Sequence, residues 1–338
     1  MIYFAASAAN QNDLVAKEAE FSKAEEIHLV NGGVEFSGDL ETGYRFCLNS
    51  RIASRVLIGL AQDDEIFSAD DLYDASVQLP WEEYVNPQKT FSVTITAIRC
   101  NWLNNTHFGA LRLKDAIVDR IKQTHNDERP MVDPDNPDVT FHLHIDHEVV
   151  KWYVDFSGRG MHQRGYRTEE VKAMMKENLA SAVIMRSDWY KTFIDGNPTK
   201  LIDPFCGSGT IIIEAALMAS NIAPGLLHDQ TFAFHKLPFH DEDMFERVLE
   251  EAYQRAEETI VPKDLFYAWD IDSRTIESAK INAKMAKVDH LINFERKDFT
   301  KTTKLDVMEG KHCIVTDPPY GMRSNDVVIE DLYRNIGT

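Results

Sequence analysis

The chain has 338 residues, 43% of them hydrophobic and 27% charged, with a formal net charge of −19 at pH 7. That is long enough for two domains with separate cores, and it excludes indiscriminate nucleic-acid binding, which depends on neutralising phosphates. No apolar run could span a bilayer, and Met1–Ser7 has neither the basic lead nor the apolar length of a signal peptide. Cys47, Cys100, Cys206 and Cys313 stand singly, which suits a reducing cytoplasm and offers no zinc spacing, so no metal is expected.

In chain order, Ile2–Ala6 reads as a short strand and Asn12–Phe21 as a helix. Ile27–Val30 is apolar, Asn31-Gly32-Gly33 is turn chemistry, and Val34–Phe36 resumes a strand. A helix near Leu40–Cys47 leads to a buried strand, Ser54–Leu60. Ser68 is placed to cap a helix over Ala69–Leu79. Phe91–Ile98 alternates with period two and is rich in β-branched residues, as a half-buried strand should be. Phe108–Gln123 is an amphipathic helix, Asn126–Asp138 a polar loop, and Val139–Val154 two strands broken near Asp146-His147. The first half is therefore expected to be an α+β module of two small sheets.

Gly158–Thr168 is rich in Gly and Arg and reads as a linker, and Glu169–Ile184 as helix. From Thr199 the pattern becomes strand–helix alternation, the signature of a parallel sheet. The strands are Lys200–Asp203, Leu265–Asp270, Leu291–Glu295 and His312–Thr316, and the helices Thr210–Ala219, Asp243–Ile260 and Ser273–Ala286. The expected organisation is 1–157, a linker at 158–168, and 169–338.

Two stretches run against the acidic trend. Arg99, Arg112, Lys114, Arg120 and Lys122 outnumber Asp115 and Asp119 between them. Lys151, Arg159, Arg164, Arg167, Lys172 and Lys176 outnumber Asp155, Glu169 and Glu170. Each stretch is either a solvated helix face or a local basic face for a nucleic acid.

The second half is organised around Asp203-Pro204-Phe205-Cys206-Gly207-Ser208-Gly209-Thr210, between a strand and an apolar helix. The glycines remove side chains where the backbone turns and a ligand approaches. The loop lacks the Lys-Ser/Thr of a phosphate-binding P-loop and the third glycine of the dinucleotide fingerprint. A nucleoside ligand without phosphates fits better, S-adenosylmethionine being the common one. Asp270, followed by Ile271, ends the next strand, where a carboxylate can accept ribose hydroxyls; Asp272 reads as a helix cap. Asp298 could take an adenine amino group while Phe299 packs on the ring, or it is an ordinary loop acid.

The most specific signal is Asp317-Pro318-Pro319-Tyr320 at a strand end. Consecutive prolines stiffen the loop and remove two backbone donors, leaving the Asp317 carboxylate and the Pro318 carbonyl as acceptors. Such acceptors suit an exocyclic amine, whose developing positive charge they stabilise during methyl transfer. Tyr320 offers a ring on which a flipped base can stack.

Asp317–Tyr320 following Asp203–Thr210 resembles the amino-methyltransferases that use S-adenosylmethionine. The wider run Leu201–Gly225, with Asn221-Ile222-Ala223-Pro224-Gly225, is similar to the bacterial large-subunit rRNA guanine-N2 methyltransferase family. Arg164-Gly165-Tyr166-Arg167, Lys176-Glu177-Asn178-Leu179-Ala180, Trp81-Glu82-Glu83-Tyr84 and Lys114-Asp115-Ala116-Ile117 extend the resemblance over essentially the whole chain. It implies a Rossmann-like α/β methyltransferase domain preceded by an α+β ferredoxin-like and THUMP region that binds RNA. The implied substrate is 23S rRNA, methylated at guanine N2 in the cytoplasm.

That family usually has Asn where Asp317 stands; Asp is more usual in related tRNA guanine-N2 enzymes and in adenine methylases. The alternatives are therefore a tRNA enzyme, a DNA N6-adenine methylase, for which no duplex-binding element is evident, or a non-catalytic RNA-binding protein. With eighteen residues after Tyr320, the domain is expected to be truncated, since a seven-stranded sheet needs about three more strands.

Overall fold

The computed structural model describes residues 1–103, 105–167, 175–228, 232–301 and 311–318. The chain divides into two compact units that do not follow chain order. One comprises Met1–Cys47, Ala53–Met161 and Gln230–Val248; the other comprises Leu48–Ile52, His162–Asp229 and Leu249–Thr338.

The elements of the first half are β1 (Ile2–Ala6), α1 (Asn12–Phe21), β2 (Glu25–Val30), β3 (Gly33–Ser37), α2 (Leu40–Asn49), β4 (Arg55–Asp63) and α3 (Ala69–Val77). They continue as β5 (Thr90–Ile98), α4 (Thr106–Thr124), β6 (Met131–Val132), β7 (Val139–Asp146) and β8 (Val149–Asp155). Ser68 caps α3 by accepting the Asp71 amide hydrogen. Along β7, Val139, Phe141, Leu143 and Ile145 are all buried, as period-two alternation predicts.

The expectation of two small sheets is corrected. The strands form a single eight-stranded sheet in the order β2-β3-β1-β4-β8-β7-β5-β6. β4 runs on to Asp63 and has a partner on each side, β1 through Tyr3↔Ile58 and β8 through Leu57↔Asp155, both antiparallel. The pairing register of β4 with β8 shifts between Gly59 and Ala61. The join is a contact between residues about a hundred positions apart in sequence, which local patterning does not encode. The polar loop after α4 also holds a two-residue edge strand, β6, beside β5.

The second half contains α5 (Glu177–Met185), α6 (Asp188–Ile194), β9 (Lys200–Asp203), α7 (Thr210–Ala219), α8 (Glu242–Glu258), β10 (Phe266–Asp270), α9 (Ser273–Met285), β11 (Ile292–Arg296) and β12 (His312–Ile314). The early part of the helix expected from Glu169 lies outside the described residues. The strands pair in parallel in the order β11-β10-β9-β12. All ten residues of α7 are buried, as an all-round apolar helix requires.

The one acid of α7 is provided for. Glu214 is fully buried, accepts from Tyr166 at 3.1 Å and Ser181 at 2.6 Å, and lies 3.7 Å from the Arg164 guanidinium.

Candidate cofactor and amine site

Counted from β9, the sheet order is 3-2-1-4. The chain steps outward from β9 through β10 to β11, then returns to place β12 on the other side of β9. Ligands of open α/β sheets bind at the carboxyl ends of strands flanking such a reversal. Here those ends carry Asp203 on one side and Thr316, Asp317 and Pro318 on the other.

After β9 the chain turns through Pro204–Gly209 into α7. Gly207 and Gly209 have φ of 51° and 85°, a region that side chains disfavour. A Cβ on Gly209 would come within 3.1 Å of the Ala279 Cβ, so this glycine lets the loop lie against α9. A Cβ on Gly207 would meet nothing within 4 Å. The space beside Gly207 is thus open.

The loop is braced at every step. Cys206 N–H donates to the Trp269 carbonyl at 2.9 Å and Gly207 N–H to Asp270 Oδ2 at 3.0 Å. Gly209 N–H reaches the Cys206 carbonyl at 2.7 Å, and the Asn282 amide holds the Ser208 carbonyl at 3.0 Å. Arg167 donates to the Thr210 hydroxyl at 2.9 Å. Such a loop is set before any ligand arrives.

Asp270 braces the loop as well as ending β10, for its other oxygen accepts the Asp272 amide hydrogen at 2.9 Å. Asp272 caps α9 through the Arg274 amide, as its sequence position suggests. Ile271 is exposed, Asp298 pairs with Lys301 at 2.9 Å, and Phe299 meets Phe205 edge-to-face with ring centres 5.6 Å apart.

The two loops are joined directly. Thr316 donates its hydroxyl to Asp203 Oδ1 at 2.6 Å, and the Phe205 amide reaches the same oxygen at 3.3 Å. Val315 N–H extends the pairing to the Ile202 carbonyl at 3.1 Å. Burial pushes the Asp203 carboxyl up to about 7, against the lowering effect of the Thr316 bond. Burial also raises Asp317 above the usual carboxylate range. Pro319 and Tyr320 lie outside the described residues. Thr316, Asn282 and the loop contact of Arg167 escaped the sequence reading. The parallel register Ile314↔Ile202 is the relation that brings Thr316 level with Asp203, and no local motif carries it.

The basic residues fare differently. Arg164 is only 1% exposed and donates to the Arg51 carbonyl at 2.5 Å as well as facing Glu214. It is part of the domain interior, and the expectation that it contacts RNA is corrected. Arg167 is occupied by Glu177 at 3.2 Å and by Thr210.

In the first unit each cation of the earlier cluster has an acid. Arg99 pairs with Asp146, Arg112 with Asp70, Lys114 with Asp115, Arg120 with Glu82 and Lys122 with Asp119. Asp70, Glu82 and Asp146 come from other elements, so counting acids within the segment underestimates its neutralisation. Lys114 and Lys122, with Arg129, Pro130 and Met131, line an open groove of about 410 Å³.

Sequence comparison decides the family. Residues 164–338 match the RMKL-like, methyltransferase domain. The chain belongs to this family. Residues 67–155 match the THUMP domain and 3–57 the RlmL ferredoxin-like domain. A Rossmann-like α/β methyltransferase domain therefore follows an α+β ferredoxin-like and THUMP region.

Ribosomal RNA large subunit methyltransferase K/L of Syntrophotalea carbinolica is 38% identical over 340 residues, covering 99% of this chain and 46% of the relative. The chain spans about half the length of the curated relatives it matches. Among solved structures, SMU.472, described as a methyltransferase and complexed with SAH, aligns with a TM-score of 0.87 at 28% identity, over 99% of this chain and 85% of that one. A Listeria monocytogenes protein described as a predicted N6-adenine-specific DNA methylase gives 0.87 at 28% identity, over 99% and 84%.

Proposed function

We propose that this chain is part of an S-adenosylmethionine-dependent RNA methyltransferase acting on the exocyclic N2 of a guanine in 23S rRNA. The observation that carries the reading is the meeting of the glycine loop and the Asp317-Pro318 loop at the reversal point of the sheet, joined by Thr316 and Asp203. The names of the K/L relatives favour rRNA as the substrate class, and the SAH held by SMU.472 favours the cofactor. An rRNA substrate places the work in the cytoplasm.

The open space over Gly207, the carboxylate at the end of β10 and the absence of a phosphate-binding lysine in the loop suit a nucleoside sulfonium. Asp203–Thr210 would surround it, Asp270 would take the ribose hydroxyls, and Asp298 and Phe299 would face the adenine. Bound S-adenosylmethionine would supply an electrophilic methyl group. Asp317 and the Pro318 carbonyl accept the two hydrogens of the target amine, which orients the nitrogen lone pair and stabilises the charge that grows on it. Tyr320 stacks on the base. One proton passes from the nitrogen to solvent water, and the products would be the methylated base and S-adenosylhomocysteine.

A second reading has a specific observation behind it. Asp rather than Asn at 317, together with the description of the Listeria protein, favours adenine N6 in DNA. Labelled methyl transfer to unmodified rRNA, tRNA and duplex DNA, followed by nucleoside chromatography, separates the two. N2-methylguanosine in rRNA supports the first; N6-methyladenine in DNA replaces it with the second.

A further inference from the structure

Three side chains of one short segment in the first unit converge on a point that the amine chemistry does not use. His235 stands in a 3₁₀ turn, Ala233–Lys236; Pro238 and Phe239 carry the chain to His240; Glu242 opens α8. His235 Nδ1 lies 3.1 Å from His240 Nε2, which lies 2.8 Å from Glu242 Oε2; the third side of the triangle is 3.7 Å. A tetrahedral ion with bonds of about 2.0–2.1 Å holds its ligand atoms about 3.3 Å apart, and the three sides bracket that value.

We propose that His235, His240 and Glu242 bind a divalent transition-metal ion, Zn²⁺ being the best match to two imidazoles and a carboxylate. The rest of the setting agrees. The Tyr44 hydroxyl lies 2.6 Å from the far ring nitrogen of His240 and accepts the Asp241 amide hydrogen at 2.9 Å. It fixes the imidazole plane as outer partners of metal-bound histidines do, and a hydroxyl, which both donates and accepts, serves either tautomer.

The rings of Tyr44, Phe234 and Phe245 pack against the two imidazoles with ring centres 4.6–6.3 Å apart and wall off one side. The Glu242 side chain is 61% exposed, so a fourth position faces water. A single proton on His240 Nε2 faces two acceptors, whereas a cation meets three lone pairs at once. The ion's role is structural: it fastens the start of α8 to the turn that precedes it.

The test uses the tag-free chain dialysed against ZnCl₂ in a buffered micromolar range, with bound zinc counted by mass spectrometry. Co²⁺ is added in parallel as a visible-absorption probe. The expected result is one zinc per chain, intense tetrahedral Co²⁺ bands, and at least a tenfold loss of affinity in His235→Ala. Because His240 packs among aromatic rings, Glu242→Gln, which alters an exposed side chain, is the companion variant, and the same loss is expected. Zinc should raise the unfolding midpoint of the parent and not that of the double variant His235→Ala/Glu242→Gln. No zinc above the buffer background, or unchanged affinity in that double variant, overturns the site.

Discussion

Thr316 and Asp203 share a 2.6 Å hydrogen bond that ties the strand end before the Asp-Pro loop to the strand end before the glycine loop. The two loops carry different halves of the proposed reaction, and under that proposal this bond would set the distance between amine acceptors and cofactor. Hydrogen bonds to charged groups are worth about 1.5–3 kcal/mol. Thr316→Val should therefore slow single-turnover methyl transfer about tenfold or more while leaving cofactor affinity within a factor of about two. Thr316→Ser, which keeps the hydroxyl, should restore the rate. An equal loss in both variants would mean that the bond does not position anything.

Asp203 also gives the second unit a pH signature. Its carboxyl is raised from the model-peptide value of 3.8 to about 7 by burial, so between those values the folded state binds more protons than the unfolded state. Stability is then highest below the unfolded value, declines as pH rises through the interval, and levels off above about 7. Asp203→Asn should flatten that decline. Asp155, raised by burial to about 6 in the first unit, adds a slope of the same sign that remains in the variant. Thermal unfolding from pH 5 to 8 compares the two, and an unchanged slope would place Asp203 in a more hydrated setting.

Glu214 and Arg164 form a buried ionic contact with Tyr166 and Ser181 as hydrogen-bonding neighbours. Removing one member strands the other charge, a loss of about 3–5 kcal/mol. Glu214→Ala should lower the unfolding free energy by that amount, and Glu214→Gln, which keeps a hydrogen-bond acceptor but also strands the Arg164 charge, by nearly as much. A surface role for Arg164 would instead leave Arg164→Ala close to the parent in stability.

Of the cations expected to meet RNA, Arg112 and Arg120 clasp acids on neighbouring elements, whereas Lys114 and Lys122 pair with acids of α4 itself and border the groove beside β6. Exposed ion pairs contribute about 1 kcal/mol or less and exchange readily for phosphate. Lys114→Glu with Lys122→Glu should weaken RNA retention on filters and reduce its salt dependence, with the unfolding midpoint and cofactor affinity unchanged. Retention equal to the parent would make this a solvated helix face.

The legibility of the sequence divides along range of interaction. Strand–helix alternation, the glycine loop, Asp270 at a strand end and the caps by Ser68 and Asp272 are local features, and the structure has them where the pattern places them. The continuity of the eight-stranded sheet rests on β4 meeting β8, and the burial of Arg164 rests on Glu214 fifty residues on. Both depend on partners that periodicity does not name. The neutralisation of Arg112 and Arg120 on α4 has the same origin, since Asp70 and Glu82 approach the helix only after folding.

The central claim is that Asp317 accepts a hydrogen of the amine that is methylated. The most direct measurement is single-turnover transfer from labelled S-adenosylmethionine to unmodified 23S rRNA, comparing the parent chain, Asp317→Ala and Asp317→Asn, with the product nucleoside identified. The account predicts N2-methylguanosine, a loss of about 10²–10³ in rate for Asp317→Ala, and a far smaller loss for Asp317→Asn, whose side-chain oxygen still accepts. Transfer by Asp317→Ala at the parental rate would contradict it.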